Sequence, residues 1–326
     1  MSGRSGPRRL DDRRQRRVLP RTIEVYRREA RHFSEWAVSR GLNPQGADQW
    51  DDTLVEYKNE CLEVLTPARF GTLIASVEFF FPRFKGKLAW ARAVLAGWER
   101  CMERKHTVPL GKAPGKLIAV YLAAAGHARL ALGLVLQCHT GLRPSEMLGL
   151  LTEHVSFPRQ RGCSSGDVVL SLGLKQGTKS KRAQVAILRA AYADVFALLE
   201  QCVLLTPVGC QLFPYSLATY RAHLKAAGSA LGLRVGWGPH SPRAGWATDA
   251  RAEGVPFMET REQGRWVSDS SLRIYLDATS ANAVLQHIQT AEHLDKLRWA
   301  VTGWVHYFGK NVLRAPYGSE DRQSLH

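Results

Sequence analysis

The 326-residue sequence lacks the patterns that mark several common classes of protein. Its six cysteines form no Cys-x-x-Cys pair and show no zinc-ligand spacing. They stand in mostly apolar surroundings, which predicts reduced packing residues inside an intracellular protein rather than a disulfide scaffold. The sequence also has no phosphate-binding glycine loop and no cluster of metal ligands, so we expect neither a nucleotide nor a metal cofactor.

Long apolar runs are missing as well. The most apolar stretch, residues 117–138, is interrupted by His127 and Arg129, which predicts a buried helical hairpin rather than a membrane span. The N-terminus is too basic, and too poor in apolar residues, for a signal peptide. We therefore expect no membrane partner.

Acidic residues are few compared with basic ones. Asp and Glu number 29 against 45 Lys and Arg, which gives a net charge of +16. This charge is typical of a protein that binds a polyanion, and composition alone leaves nucleic acid and an anionic membrane as alternatives. The hydrophobic fraction of 45% is large enough for a folded core, and the length predicts one large domain or two ordinary ones.

The chain is predicted to divide into five segments. Residues 1–20 form a basic tail, 21–104 a helical domain with basic faces, and 105–116 a linker rich in Gly, Pro and Lys. In the helical domain, Thr22 is a candidate cap for the first helix, and Thr66-Pro67 is a candidate start for the third. Residues 117–280 form the second domain, and 281–326 a C-terminal helix and tail.

Two period-2 segments in the second domain, 168–172 and 184–188, predict strands that flank a lysine-rich turn. Helical patterns follow at 191–203, 216–230, 242–253, 269–277 and 281–300. The predicted fold class is therefore mainly α with a small antiparallel β-sheet, an α+β arrangement.

Two arginines beside prolines suggest a site for a phosphate. Arg143 precedes Pro144 and Arg243 follows Pro242, and because proline favours the first turn, each arginine is predicted near a helix start. Free N–H groups at a helix start attract phosphate, and a guanidinium adds a planar, permanently charged fork. Glu146 falls on the same helical face as Arg143 and is predicted to orient it. Taken singly, either arginine is better explained by a surface salt bridge.

Four motifs and one tyrosine occur in a fixed order: Thr140–Glu146 (TGLRPSE), a lysine-rich hairpin, His240–Arg243 (HSPR), Gly264–Trp266 (GRW) and Tyr275. On these motifs the sequence resembles the tyrosine recombinases, or phage integrase family, over about residues 21–280. The resemblance implies a helical core-binding domain followed by a catalytic domain. One departure is Arg265, which stands directly before Trp266 where many members have glycine. The arginine-rich GRW form resembles eukaryotic mobile-element recombinases.

The resemblance also implies roles for these residues. Tyr275 is the nucleophile that forms a 3′-phosphotyrosyl bond with DNA, and Arg143, His240, Arg243 and Trp266 stabilise the transition state. A hairpin lysine donates a proton to the leaving 5′-hydroxyl. Lys179 is the preferred candidate, with Lys175 and Lys181 as alternatives.

The function expected from the resemblance is a site-specific recombinase or integrase acting on double-stranded DNA. Two alternatives remain: an inactive DNA-binding protein that retains the fold, and an enzyme like a type IB topoisomerase. The family often passes a C-terminal helix to a neighbouring protomer, which suggests a homo-tetramer on DNA. For residues 281–300 the alternative is packing on their own domain. The expected location is intracellular and DNA-associated, in the nucleus of a eukaryote or the cytoplasm of a bacterium.

Overall fold

The structure is a computed structural model of the chain. It describes residues 18–102, 107–173, 183–233, 235–273, 275–276, 291–308 and 313. The chain divides into two compact units, Met1–Arg104 and Lys105–His326, and each has a hydrophobic core of its own. None of the helices in these described ranges is long and apolar enough to cross a lipid bilayer.

The described part of the N-terminal unit is helical. Its α-helices are α1 (Pro20–Ser39), α2 (Ala47–Glu60), α3 (Pro67–Phe80) and α4 (Ala89–Cys101). Apolar residues three and four positions apart line one face of each helix, and these faces meet in a core that includes Phe33, Leu54, Phe70 and Leu88.

The starts of two of these helices test the predicted caps. α3 begins as predicted, because the Thr66 hydroxyl accepts a hydrogen bond from the Arg69 N–H at 3.3 Å. The prediction that Thr22 caps α1 is wrong. Pro20 occupies the first helical position and fixes the backbone there, so the N-cap is Leu19, three residues before the predicted one.

The C-terminal unit begins with the predicted helical hairpin, α5 (Lys112–Ala124) and α6 (Ala128–Thr140). Residues 112–116 were predicted as linker and are helical. Gly111 is extended and starts the helix, while Pro114 is tolerated because N–H groups of the first turn have no partner within the helix. Gly115 of α5 packs closely against α6, because a Cβ added to it would be 2.7 Å from the Cys138 sulfur.

Residues 107–111 pack on the start of a later helix, α10 (Ser241–Ala252). The Leu110 N–H donates to the Ser241 carbonyl at 2.9 Å, and the Trp237 indole donates to the Pro109 carbonyl at 3.1 Å. The approach is so close that a Cβ at Gly245 would lie 2.0 Å from the Leu110 oxygen. These contacts fix the end of α10 that carries Arg243.

A three-stranded antiparallel sheet has the order β1 (Val155–Ser156), β2 (Val168–Leu172) and β3 (Gln184–Leu188). Its register pairs Val168 with Leu188 and Leu172 with Gln184. β2 and β3 have the predicted bounds, and β1 is too short to show a period. The helices and this sheet confirm the predicted fold class, mainly α with a small antiparallel sheet.

The remaining helices surround the site or complete the core. They are α7 (Pro144–Leu148), α8 (Ala193–Leu204), α9 (Leu217–Ala230), α10, α11 (Phe257–Gln263), α12 (Asp269–Arg273) and α13 (Ala291–Gly303). The Ser268 hydroxyl accepts from the Ser271 N–H at 3.3 Å, whereas Asp269 accepts from Arg261.

The described part of the C-terminal segment packs in the core of its own unit. Trp304 is fully buried, and its indole donates to Asp194 Oδ2 at 2.7 Å, the same oxygen that Lys116 reaches. Ala300 and Phe308 are buried in the same core. For residues 291–308, packing within the unit is therefore the observed arrangement. Residues 281–290 of the helix predicted at 281–300 lie outside the described residues.

Candidate active site

Arg143 stands at the start of α7 because of the turn that ends α6. Gly141 closes α6 with φ 63°, a left-handed conformation that favours glycine, and its missing side chain leaves room for the Trp246 ring. Pro144 then begins α7, and the Arg143 N–H donates to Glu146 Oε2 at 2.7 Å. The Arg143 side chain remains 22% exposed, so its guanidinium is accessible to a ligand.

Arg243 lies in the first turn of α10 and is almost entirely buried, with 2% of its surface exposed. Its guanidinium donates to the carbonyl oxygens of Gly141 and Gly264. It also lies over the Trp266 ring, with Cζ 4.1 Å from the ring centroid. Two carbonyls and one aromatic face therefore hold the guanidinium in a single orientation.

Buried positive charge changes the titration of Arg243. Burial, with smaller effects from the charges of Arg143 and Arg265, lowers the pKa of Arg243 to about 9. Glu146 and Tyr275 act in the opposite direction. Arg243 therefore stays charged at neutral pH, in a place where a bound anion would relieve the repulsion among three guanidiniums.

Glu146 joins two arginines. Its Oε1 accepts from Arg143 Nη1, and its Oε2 accepts from Arg265 Nη2 at 2.8 Å. Burial raises the pKa of Glu146, but the positive charge of Arg265 and the N–H and charge of Arg143 outweigh burial and leave that pKa below its usual value. Glu146 is therefore a carboxylate at neutral pH and fixes the position of Arg143, as predicted from their spacing.

Three aromatic rings lie beside the arginines. Trp246 stacks on Trp266 with ring centroids 6.0 Å apart, and Trp266 contacts Tyr275 with centroids 5.5 Å apart. Tyr275 is half-buried, and its N–H donates to the Leu272 carbonyl at 2.9 Å. The Tyr275 ring thus lies on the same indole that Arg243 covers.

His240 is exposed at the N-cap of α10, three residues before Arg243. Ser241 is the first helical residue, and its hydroxyl accepts from the Gly238 N–H at 3.0 Å in the preceding turn. His240 therefore occupies the exposed, electropositive end of α10.

The structure brings Arg143, Glu146, Arg243, Trp266 and Tyr275 together and places His240 on the helix that carries Arg243. The hairpin lysines Lys175, Lys179 and Lys181 lie outside the described residues. Over the ranges that are described, no group of three or more His, Cys, Asp or Glu side chains is arranged to hold a metal ion.

Sequence reasoning missed two residues of this cluster. Arg265 was noted only as a departure from the usual motif, and Trp246 was not noted, although it lies three residues after Arg243 on α10. The helical spacing was an available signal for Trp246. For Arg265 the only signal was a charged residue at a position where glycine is common.

Comparisons with known proteins identify the family of this unit. The phage integrase family model matches residues 115–282, slightly more than half of the chain. No curated protein sequence matches the chain significantly.

Three similar solved structures are of Xer recombinases. XerH bound to its difH substrate before cleavage is 16% identical, with a TM-score of 0.48, 78% of this chain covered and 70% of that one. XerH in a post-cleavage complex with a palindromic difH substrate is 15% identical, with a TM-score of 0.48 and coverages of 76% and 73%. XerA is 17% identical, with a TM-score of 0.41 and coverages of 86% and 96%. On the family match, this chain belongs to the phage integrase family, the tyrosine recombinases.

Proposed function

We propose that this protein is a site-specific DNA recombinase that cuts and rejoins double-stranded DNA through a 3′-phosphotyrosyl bond at Tyr275. The observation that carries the proposal is the joint contact of Arg243 and Tyr275 with Trp266. A nucleophile and a buried cation on one indole are suited to a reaction at an anionic phosphorus centre. Arg143 lies next to them through Glu146 and the Gly141 turn.

In the first step the Tyr275 hydroxyl oxygen bonds to the phosphorus of a DNA phosphodiester and passes its proton to the imidazole of His240, our candidate base. The bond from phosphorus to the 5′-oxygen breaks, and that oxygen takes a proton from the hairpin lysine, for which Lys179 is our candidate. A phenol is a weak nucleophile at neutral pH, so nearby cations must stabilise the developing negative charge. Arg143, Arg243, His240 and Trp266 are the proposed donors to the phosphate oxygens.

In the second step the 5′-hydroxyl of another strand attacks the phosphotyrosyl bond and releases Tyr275. The protein–DNA bond retains the energy of the original phosphodiester, so this chemistry consumes no nucleotide. Rejoining to a strand of a second DNA site gives recombination, whereas rejoining to the original strand restores the starting DNA.

The partner in this proposal is double-stranded DNA, and strand exchange between two sites calls for a homo-tetramer. The net charge of +16 supports a polyanionic partner. Two of the similar structures are described as XerH bound to difH DNA. A location on intracellular DNA follows from the reaction, and the eukaryotic mobile-element origin remains a prediction.

The proposal is tested by covalent capture of DNA. Because the residues of the site do not specify which DNA sequence is cut, the substrate is a pool of duplexes with a randomised centre and one nicked strand. Cleavage near the nick releases a short fragment that diffuses away, which traps the protein on DNA. We expect adducts that survive denaturation with the wild-type protein and none with Tyr275→Phe. Tyr307→Phe, which removes a more exposed hydroxyl from the same unit, is the matched control and should form adducts normally.

The same experiment separates the alternatives. An inactive DNA-binding protein retains DNA without any adduct, and this result would overturn the proposal. A topoisomerase-like enzyme forms the adduct and relaxes supercoiled plasmid, but does not exchange strands between two captured sites.

A further inference from the structure

Arg265 has an unusual backbone. Its φ is 60°, and among the described residues it is the one non-glycine residue with a positive φ. A side chain in this left-handed region strains the backbone, so the conformation favours glycine. The strain persists because residues on both sides are fixed: the Arg265 N–H donates to the Glu262 carbonyl at 2.9 Å, and the Trp266 N–H donates to the Arg261 carbonyl at 3.0 Å.

The side chain of Arg265 is also costly to the fold. Only 5% of it is exposed, and its Nε has no hydrogen-bond partner. Burial lowers the pKa of Arg265, although Glu146 partly opposes this effect. A strained backbone and an incompletely paired buried cation at one residue together indicate a function that offsets both costs.

Apart from a hydrogen bond from its Nη1 to the Gln263 carbonyl at 3.3 Å, the contacts of the Arg265 side chain lead toward Arg143 and Arg243. Its Nη2 donates to Glu146 Oε2 at 2.8 Å and lies 3.3 Å from the Gly141 carbonyl, which also accepts from Arg243. Its own carbonyl accepts from Arg143 Nη2 at 3.1 Å. Arg265 therefore holds Arg143 twice, directly through its main chain and indirectly through Glu146.

The charge count explains what the guanidinium adds. Arg143 and Arg243 carry two positive charges, and the Glu146 carboxylate that orients Arg143 cancels one of them. Arg265 on the other oxygen of Glu146 restores a net charge of two to the cluster. Without Arg265, the carboxylate would position Arg143 but would also weaken its attraction for a phosphate.

We infer that Arg265 is a positioning residue for Arg143. The Arg265 guanidinium neutralises Glu146, so that Arg143 is both fixed in place and fully available to a DNA phosphate. This inference rests on the proposed function. It assigns a role to the residue at which the sequence departs from the usual motif.

The test replaces Arg265 by glycine, which adopts a φ of 60° without strain and removes only the side chain. At saturating DNA we expect Arg265→Gly to slow adduct formation by about 10- to 100-fold, because the Glu146 carboxylate, no longer neutralised, weakens the attraction of Arg143 for the charge of the transition state. DNA affinity should fall no more than in Arg298→Ala, a control that removes one charge from a side chain that is 81% exposed. Arg265→Lys retains the charge and should recover most of the rate.

A second readout separates positioning from a folding defect. A methylphosphonate at the captured cleavage site replaces one charged phosphate oxygen by a methyl group and makes the reacting centre neutral. The Arg265→Gly defect should shrink to a few-fold on this substrate, because a neutral centre depends less on the charge of Arg143.

The inference would be overturned if Arg265→Gly reacted as fast as wild type, or if it were slowed equally on the phosphate and methylphosphonate substrates. In either case, adducts formed by the wild-type protein would still support the proposed function. If Arg265→Gly fails to fold, the rates of Arg265→Lys and wild type are compared on both substrates. A rate for Arg265→Lys close to that of wild type on the phosphate substrate supports the inference. Equal slowing of Arg265→Lys on the phosphate and methylphosphonate substrates overturns it. Absence of wild-type adducts would overturn the proposed function and this inference together.

Discussion

The two units bury charges of opposite sign. The buried charged residues in the described part of the N-terminal unit are the acids Glu29 and Asp51. Those in the described part of the C-terminal unit are the arginines Arg129, Arg243 and Arg265. Both units are helical, and the chain as a whole is strongly basic. The N-terminal unit therefore leaves its arginines toward solvent and buries acids, while the C-terminal unit places cations inside. Because burying an unpaired charge is expensive, each choice calls for a local explanation.

The buried acids of the N-terminal unit join helices. Asp51 on α2 accepts from the N–H groups of Trp90 and Ala91 at the start of α4, both at 2.8 Å. Glu29 on α1 accepts from Arg28 and from Arg69 on α3. These carboxylates satisfy donors that would otherwise lack partners, so a structural role accounts for them.

The buried cations of the C-terminal unit fall into two kinds. Arg129 donates through Nη1 to Thr206 and to the Leu212 carbonyl, while its Nε and Nη2 have no hydrogen-bond partner. Arg243 and Arg265 instead share the Gly141 carbonyl and lie within one cluster of like charge. A phosphate beside this cluster would offset the repulsion, in agreement with the proposed function. On that function we expect exposed arginines of the N-terminal unit to hold DNA, and the buried Arg243 and Arg265 to serve the reaction.

The largest expected effect is at Arg243. Arg243→Gln leaves the Gly141 and Gly264 carbonyls poorly paired and removes the central cation, so adduct formation should slow by about 100- to 1,000-fold. DNA affinity measured by fluorescence anisotropy should change far less. A loss of affinity as large as the loss of rate would break the comparison, because it would make Arg243 a binding residue.

The next effect is on stability in the N-terminal unit. Arg69→Met leaves the buried Glu29 with Arg28 alone, and we expect a loss of about 1–3 kcal/mol in the free energy of unfolding. Burial raises the pKa of Glu29, but hydrogen bonds from Arg69 and Arg28 outweigh it and lower that pKa overall. The stabilisation is therefore present above the ordinary pKa of glutamate, about 4.3, and lost as the pH falls through the lower value in the folded state.

Urea unfolding of wild type and Arg69→Met at neutral pH and at about pH 3 checks this prediction. The difference between them should be largest at neutral pH and shrink in acid. A difference that stays constant with pH would mean that Arg69 contributes through packing rather than through its charge.

The smallest expected effect concerns exposed arginines. Arg27 and Arg31 lie one turn apart on α1, and both are exposed. Replacing both by alanine should reduce the slope of log affinity against log salt by about 0.9 for each DNA phosphate that these arginines neutralise, with adduct formation at saturation unchanged. An unchanged slope would show that this face of α1 does not contact DNA, and a slower reaction at saturation would contradict the division of roles.

Particular residues show how far the sequence predicts this molecule. β2 and β3 were predictable because alternating burial along 168–172 matches the period of a strand. α11 was not predicted, since seven residues make slightly less than two helical turns and give no clear period. The motif order suggested which residues share a site. The positive φ of Arg265 was not predictable, because Arg265 follows the end of this unpredicted helix and arginine rarely adopts such a φ.

Identification of the residue that carries DNA tests the central claim most directly. Wild-type protein trapped on the nicked duplex pool is digested with protease and nuclease, and the modified peptide is sequenced by mass spectrometry. The account predicts a nucleotide joined through its 3′-phosphate to Tyr275. A nucleotide on another residue, or no modified peptide from protein that binds the duplexes, would contradict it.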